Sequence, residues 1–169
     1  MKHIKTLLFA AVLFIGSINI MNAQSKVAHI NTQELIDAMP KMKVAKAELE
    51  KLAKTYEASI QEMATELKTK MTQYDAEAAT KTDEENQKRL QEVNGMEQSI
   101  RQYQGQAQQD LQKKEADLLK PIYEEARVAI QKVAKAQGFN YVLDAMTGQG
   151  VLYANGKDLL ADVKKELGF

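Results

Sequence analysis

The sequence predicts an α+β protein that is mostly α: a long antiparallel helical hairpin, of coiled-coil type, standing on a small body that contains β-strands. Three observations predict it. Large apolar residues recur every three or four positions from Leu49 to Ala78, and again from Leu90 to Leu118, as on one face of a helix. Short apolar segments typical of strands flank these two stretches, at residues 26–30 and 139–154.

The two stripes match each other when the second helix folds back along the first. Tyr74 then meets Leu90 and Met63 meets Ile100, and the residue numbers of every such pair sum to 163 or 164. This register places the turn near residues 81–82, where Thr82 and Glu85 have the spacing of a capping box. We predict an arm of about 55 Å, with a seam formed by Leu52, Tyr56, Ile60, Met63, Leu67, Met71, Tyr74, Leu90, Val93, Met96, Ile100, Tyr103 and Leu111.

The first 23 residues are predicted to be a signal peptide. A basic start containing Lys2 and Lys5 precedes an apolar run, Thr6 to Ile20, that is short for a membrane-spanning helix. An uncleaved anchor is the alternative. Export would place the mature chain outside the cytoplasm. Removal of the leader takes away two of the 23 basic side chains and none of the 23 acidic ones, so the mature chain has a net charge near −2.

The body is predicted to consist of residues 24–40 and 121–169, with the arm at 41–120. Residues 26–30 form a strand, Asn31 caps a short helix, and residues 139–145 and 151–154 form a β-hairpin around the turn at 147–150. Asp158 is expected to cap a last helix. A core of this size rarely supplies more than about 3–5 kcal/mol, so we expect copies to assemble through the strands. The interface candidates are Val27, Ile30, Val142, Val151 and Tyr153.

No catalytic, cofactor-binding or metal site is predicted. The chain has no cysteine, and His29 is its one histidine beyond the leader. No serine lies in a nucleophile elbow, and no glycine-rich phosphate loop occurs. The protein is therefore not expected to be an enzyme. Its near-neutral charge also argues against a nucleic-acid partner, while peripheral contact with a membrane surface is left open.

The order of these features resembles the Skp (OmpH-like) family of periplasmic chaperones. The resemblance rests on Lys26-Val-Ala-His-Ile-Asn, Pro40, the long hairpin, Phe139-Asn-Tyr-Val-Leu-Asp and Val151-Leu-Tyr, and it covers essentially the whole mature chain. It implies a homotrimer in which strands assemble a central body and three arms enclose a cavity. It also implies an ATP-independent holdase that binds unfolded outer-membrane proteins and prevents their aggregation. No residue is assigned to client contact or to lipopolysaccharide.

The alternative function is a structural coiled-coil spacer or an envelope-assembly factor. Such a protein would use the same seam and the same helix caps. A soluble trimer that suppresses aggregation favours the chaperone, whereas stable association with one fixed partner favours the spacer.

Overall fold

The computed structural model describes residues 25–169; the predicted signal peptide, residues 1–23, lies outside them. The elements confirm an α+β fold dominated by two long helices. In chain order they are β1 (Val27–Ile30), α1 (Thr32–Ala38), α2 (Pro40–Glu77), a 3-10 turn (Ala78–Thr80), α3 (Asp83–Ala136), β2 (Tyr141–Asp144), β3 (Lys157–Asp158) and α4 (Leu160–Leu167). Within residues 25–169, no helix combines the length and the apolar character needed to cross a membrane.

The long helices begin and end at residues suited to those positions. Pro40 is at the first turn of α2, where its missing N–H loses no helical bond. The Thr82 hydroxyl accepts a hydrogen bond from the Glu85 backbone N–H at 3.2 Å, as the capping box predicts. Helix α3 runs through Pro121 and ends at Ala136. Gly138 follows with a φ of 73°, a left-handed conformation that glycine adopts without steric conflict.

The three strands form a parallel sheet in the order β2-β1-β3. The predicted hairpin is therefore wrong: residues 151–155 have no regular structure, and β3 begins at Lys157. Strand β1 lies between β2 and β3, so the chain must cross β1 before it can pair again. A tight antiparallel turn cannot make that connection. The run from Val151 to Ala154 also lacks the alternation of a half-buried strand.

The last helix begins one residue later than its predicted cap implies. Leu159 occupies the N-cap position of α4. Asp158 still contributes, because its side chain accepts a hydrogen bond from the Leu160 backbone N–H at 2.8 Å.

A small core joins the sheet, the short helices and the lower ends of the long helices. Its largest fully buried side chains are Ile30, Leu35, Leu159 and Val163. Helix α3 contributes a stripe at Ile122, Ala126, Ala129 and Val133. These positions recur every three or four residues, so one face of α3 covers the body.

Asp144 ties the end of β2 to the start of α1. Its carboxylate accepts hydrogen bonds from the Thr32 hydroxyl at 2.6 Å and the Thr32 backbone N–H at 3.2 Å. Burial alone would raise the pKa of Asp144, but these bonds and one from the Met146 N–H outweigh it, so the pKa lies below its usual value.

Candidate functional site

Over most of its length the arm consists only of α2 and α3, which contact each other and no other element within residues 25–169. Ala107 and Val93 are buried in the hairpin but do not belong to the body core. Tyr56 and Tyr103 meet edge to face, with ring centroids 5.9 Å apart. The Tyr56 hydroxyl also donates to Asp110 at 3.1 Å. Burial, and then this bond to Asp110, raise the pKa of Tyr56.

Polar bridges connect the two helices from the base of the arm to its tip. The pairs are Lys41 with Glu125 at 2.8 Å, Glu48 with Lys114 at 2.7 Å, Lys70 with Glu92, and Glu77 with Arg89 at 2.6 Å. Their residue numbers sum to between 162 and 166, which brackets the register expected from the apolar stripes. Exposed ion pairs contribute little stability one by one, so most of the stability of the hairpin comes from its apolar seam.

The tip of the arm carries the most enclosed of these bridges. The Arg89 side chain is largely buried, donates to Glu77, and lies 4.6 Å from the centre of the Tyr74 ring. Bonds from Gln73 and then Arg89 lower the pKa of Glu77. Next to this group, Lys70 and then the Tyr74 hydroxyl lower the pKa of Glu92 through hydrogen bonds. Both carboxylates are therefore charged near neutral pH.

The predicted seam residues lie along the hairpin with different degrees of burial. Val93 is buried, while Met71 and Leu90 are exposed near the tip. The other ten are half-buried: Leu52, Tyr56, Ile60, Met63, Leu67, Tyr74, Met96, Ile100, Tyr103 and Leu111. A two-helix seam is one side chain wide, so half-burial is the expected state. The seam opens towards solvent at the tip.

The five interface candidates do not lie together. Ile30 is 1% exposed and packs in the core of its own chain, because it is on the inner face of β1. Val142 and Val151 are half-buried. Val142 pairs with the buried Ala28 and packs against the core, so it is on the inner face of the sheet as well. Val27 is exposed on the outer face of the sheet, and Tyr153 is exposed in the loop between β2 and β3.

Three exposed apolar residues were not among the candidates. Tyr141 is 60% exposed and pairs with Val27 in the sheet register, and Leu143 follows on the same face. Leu152 is fully exposed beside Tyr153. Two residues apart in a strand, Tyr141 and Leu143 must share a face, but only the fold shows that no other element of residues 25–169 covers this face.

Within residues 25–169, no group of three His, Asp or Glu side chains is arranged to hold a metal ion. Several carboxylates of the arm, those of Glu48, Glu50, Glu77 and Glu92, instead pair with lysines and arginines of the same hairpin. What the described residues offer is two surfaces: a long bridged arm and a bare apolar sheet face.

Comparison with known proteins agrees with this architecture. The Chaperone protein Skp of Pectobacterium atrosepticum is 24% identical over 148 residues, which cover 87% of this chain and 88% of that protein. A crystal structure of an OmpH-like protein from Caulobacter crescentus, described as an outer membrane chaperone, superposes with a TM-score of 0.76 at 20% identity. That match covers 86% of this chain and 85% of the other. The family model for outer membrane proteins of the OmpH-like type matches residues 26–167, and because this match spans nearly all of the described residues, the chain belongs to the OmpH-like family.

Proposed function

We propose that this protein is an ATP-independent holdase chaperone of the periplasm, which binds unfolded outer-membrane proteins between its helical arms and prevents their aggregation. The proposal is supported by the similarity to a protein named Chaperone protein Skp and by the shared fold with a protein described as an outer membrane chaperone. The proposal includes export by residues 1–23 and involves no catalytic step and no cofactor. It divides the mature chain into an arm, residues 41–120, and a body, residues 24–40 and 121–169.

The observation that carries this proposal is the bridged hairpin. Bridges from Glu48–Lys114 to Glu77–Arg89 join α2 and α3 far from the body core, along the same register as the apolar seam. At 1.5 Å per residue, the 38 residues of α2 extend about 57 Å. An arm of this length is longer than the stability of so small a body requires. It is long enough to line one side of a cavity that holds another chain.

The bare face of the sheet supports assembly into a homotrimer. Parallel sheets are normally covered on both faces, but here Val27, Tyr141 and Leu143 are exposed on one of them. We propose that other copies of the chain cover this face, and that Val27, Val151 and Tyr153 contribute to the contact. Ile30 and Val142 are removed from the interface, because both pack against the core of their own chain.

Deleting the arm separates its role from that of the body. Residues 52–111 are replaced by a short turn that joins the facing helices at the observed register. The molar masses of the full-length and the armless protein are measured by light scattering. Each is then mixed with an eight-stranded outer-membrane β-barrel protein diluted from urea, and the aggregation of the barrel protein is followed by turbidity. We expect both proteins to have the mass of three chains, and only the full-length one to suppress aggregation.

Two results would contradict the proposal. A well-folded monomer of the full-length protein would remove the cavity, since one hairpin cannot enclose a client. Equal protection by the armless trimer would show that the arm is a spacer. Salt should weaken protection only modestly, because the mature net charge is near −2 and exposed charges are screened within about 10 Å at 0.1 M.

A further inference from the structure

The two sides of the hairpin differ in their chemistry. Successive residues of a helix are rotated by about 100° around its axis. Measured from Tyr56 in α2, Glu48, Lys70 and Glu77 are all rotated in the same direction, by roughly 40–80°. All three form bridges to α3. We call this side the bridged face. Asp110, which accepts from Tyr56, lies on the same side of α3.

The opposite side, which we call the open face, carries a groove in the middle of the arm. Its floor consists of apolar or aromatic residues of both helices: Tyr56, Ile60, Ala107 and Leu111. Glutamines at every fourth position of α3, Gln104, Gln108 and Gln112, form one rim. Among its lining residues only Glu57 is charged. This stretch of the open face is therefore apolar at its floor and amide-rich at its edge.

A second groove lies on the open face near the tip. Met71 is 42% exposed and Leu90 60% exposed there, beside the buried Val93. The groove has two charged lining residues, Asp75 and Arg89, and the Arg89 charge is already paired with Glu77. The seam thus opens to solvent on this face, and it does so close to the tip.

The spacing of the two grooves suggests what they bind. Their centres on α2 lie near residues 57 and 75, which are about 27 Å apart along the helix. An extended chain covers that distance in about eight residues, close to the roughly 9–11 residues of one transmembrane β-strand. Such strands alternate apolar and polar residues. The apolar residues suit the groove floors, and glutamine amides can both donate to and accept from an unpaired backbone.

We infer that the open face of each arm binds extended, uncharged strand segments of an unfolded β-barrel, and that this face lines the cavity while the bridged face points outward. This inference rests on the proposed function and adds the surface and the kind of segment that it binds.

The chain provides a matched pair of positions for testing this. Gln108 is on the rim of the open groove, whereas Gln106, two residues earlier, is on the opposite side and donates to Asp110. Both are exposed glutamines of α3. Because the protein has no cysteine, Gln108→Cys and Gln106→Cys can each be labelled with a maleimide benzophenone. The probe is the same eight-stranded barrel protein, diluted from urea and irradiated in the complex. We expect the crosslink yield at position 108 to exceed that at position 106 at least about fivefold.

A charge series provides a second, independent measurement. Gln104→Lys with Gln108→Lys places two charges on the open face. Gln102→Lys with Gln106→Lys places two on the other side at the same spacing. The two double variants change the net charge equally, and in each of them the two introduced lysines are four residues apart. We expect the first to weaken binding of the barrel protein about fivefold or more, because apolar client surface would lie against lysines, and the second to leave it within about twofold.

The outcomes separate this inference from the proposed function. If the unaltered protein does not suppress aggregation, the proposed function fails, and this inference fails with it. If the unaltered protein protects but both positions crosslink equally and both doubles bind equally, the chaperone role stands and the open face is not the binding surface. Circular dichroism of each variant verifies that the hairpin is intact.

Discussion

Truncating Leu159 tests whether the small core holds the body together. Leu159 is 0% exposed and belongs to the cluster that contains Ile30, Leu35 and Val163. Its backbone N–H donates to the His29 carbonyl at 3.0 Å, which fixes the end of β3 against β1. Leu159→Ala keeps that bond but removes the buried part of the side chain.

The expected loss follows from burial. Fully burying a leucine side chain contributes about 1.5–3 kcal/mol, and the cavity left in a core brings the cost of Leu→Ala to about 2–5 kcal/mol. We take about 3 kcal/mol for Leu159→Ala. A core of this size supplies only about 3–5 kcal/mol. The variant body should therefore lose most of its stability, while the hairpin remains helical.

The change in the free energy of unfolding is measured by urea unfolding at fixed protein concentration, followed by circular dichroism at 222 nm. Hydrogen exchange of body amides distinguishes the loss of stability in the body from any change in the arm. Leu90→Ala is the matched control, because it removes the same atoms from a side chain that is 60% exposed. We expect it to cost less than about 1 kcal/mol. If Leu159→Ala shifts the unfolding free energy by no more than the control does, Leu159 does not hold the C-terminal helix to the sheet.

Three further predictions concern the arm. Gly105→Ala should raise the free energy of unfolding by about 0.5–1 kcal/mol in a thermal melt, since an added Cβ meets nothing within 4 Å; a loss of stability would indicate that the helix needs a bend there. Cysteines introduced by Met63→Cys and Ile100→Cys should form an intramolecular disulfide on oxidation, and crosslinking at a register shifted by one turn would contradict the predicted pairing. The pKa of Glu92 is lowered mainly by the hydrogen bond from Lys70. The stabilisation that the charged Glu92 carboxylate contributes is therefore present above its unfolded pKa of about 4.3, and it is lost as the pH falls through the lower folded pKa. Glu92→Gln should therefore flatten the dependence of arm stability on pH below about 4.3, and an unchanged pH profile in urea melts would contradict the pairing.

Local patterns in the sequence were enough to predict the arm. A helix repeats every 3.6 residues, so a stripe of apolar residues shows both the element and its buried side. The turn could be placed because Thr82 caps α3 through Glu85, only three residues away. The family could also be predicted from the order of these elements, and the match over residues 26–167 confirmed it.

The chain by itself thus determined which segments become helices, where α2 and α3 meet and which strand faces alternate, because these depend on residues close in sequence or on one long repeating register. Only the tertiary structure decided how the strands pair and which surfaces stay bare. Strands β1 and β2 are separated by the entire hairpin, and a run such as 151–154 is apolar whether it becomes a strand or an exposed loop. Ile30 and Val27 are both apolar residues of β1, yet one is enclosed by α1 and α4 and the other remains exposed. Burial depends on which elements pack against a face, and that is a property of the folded chain.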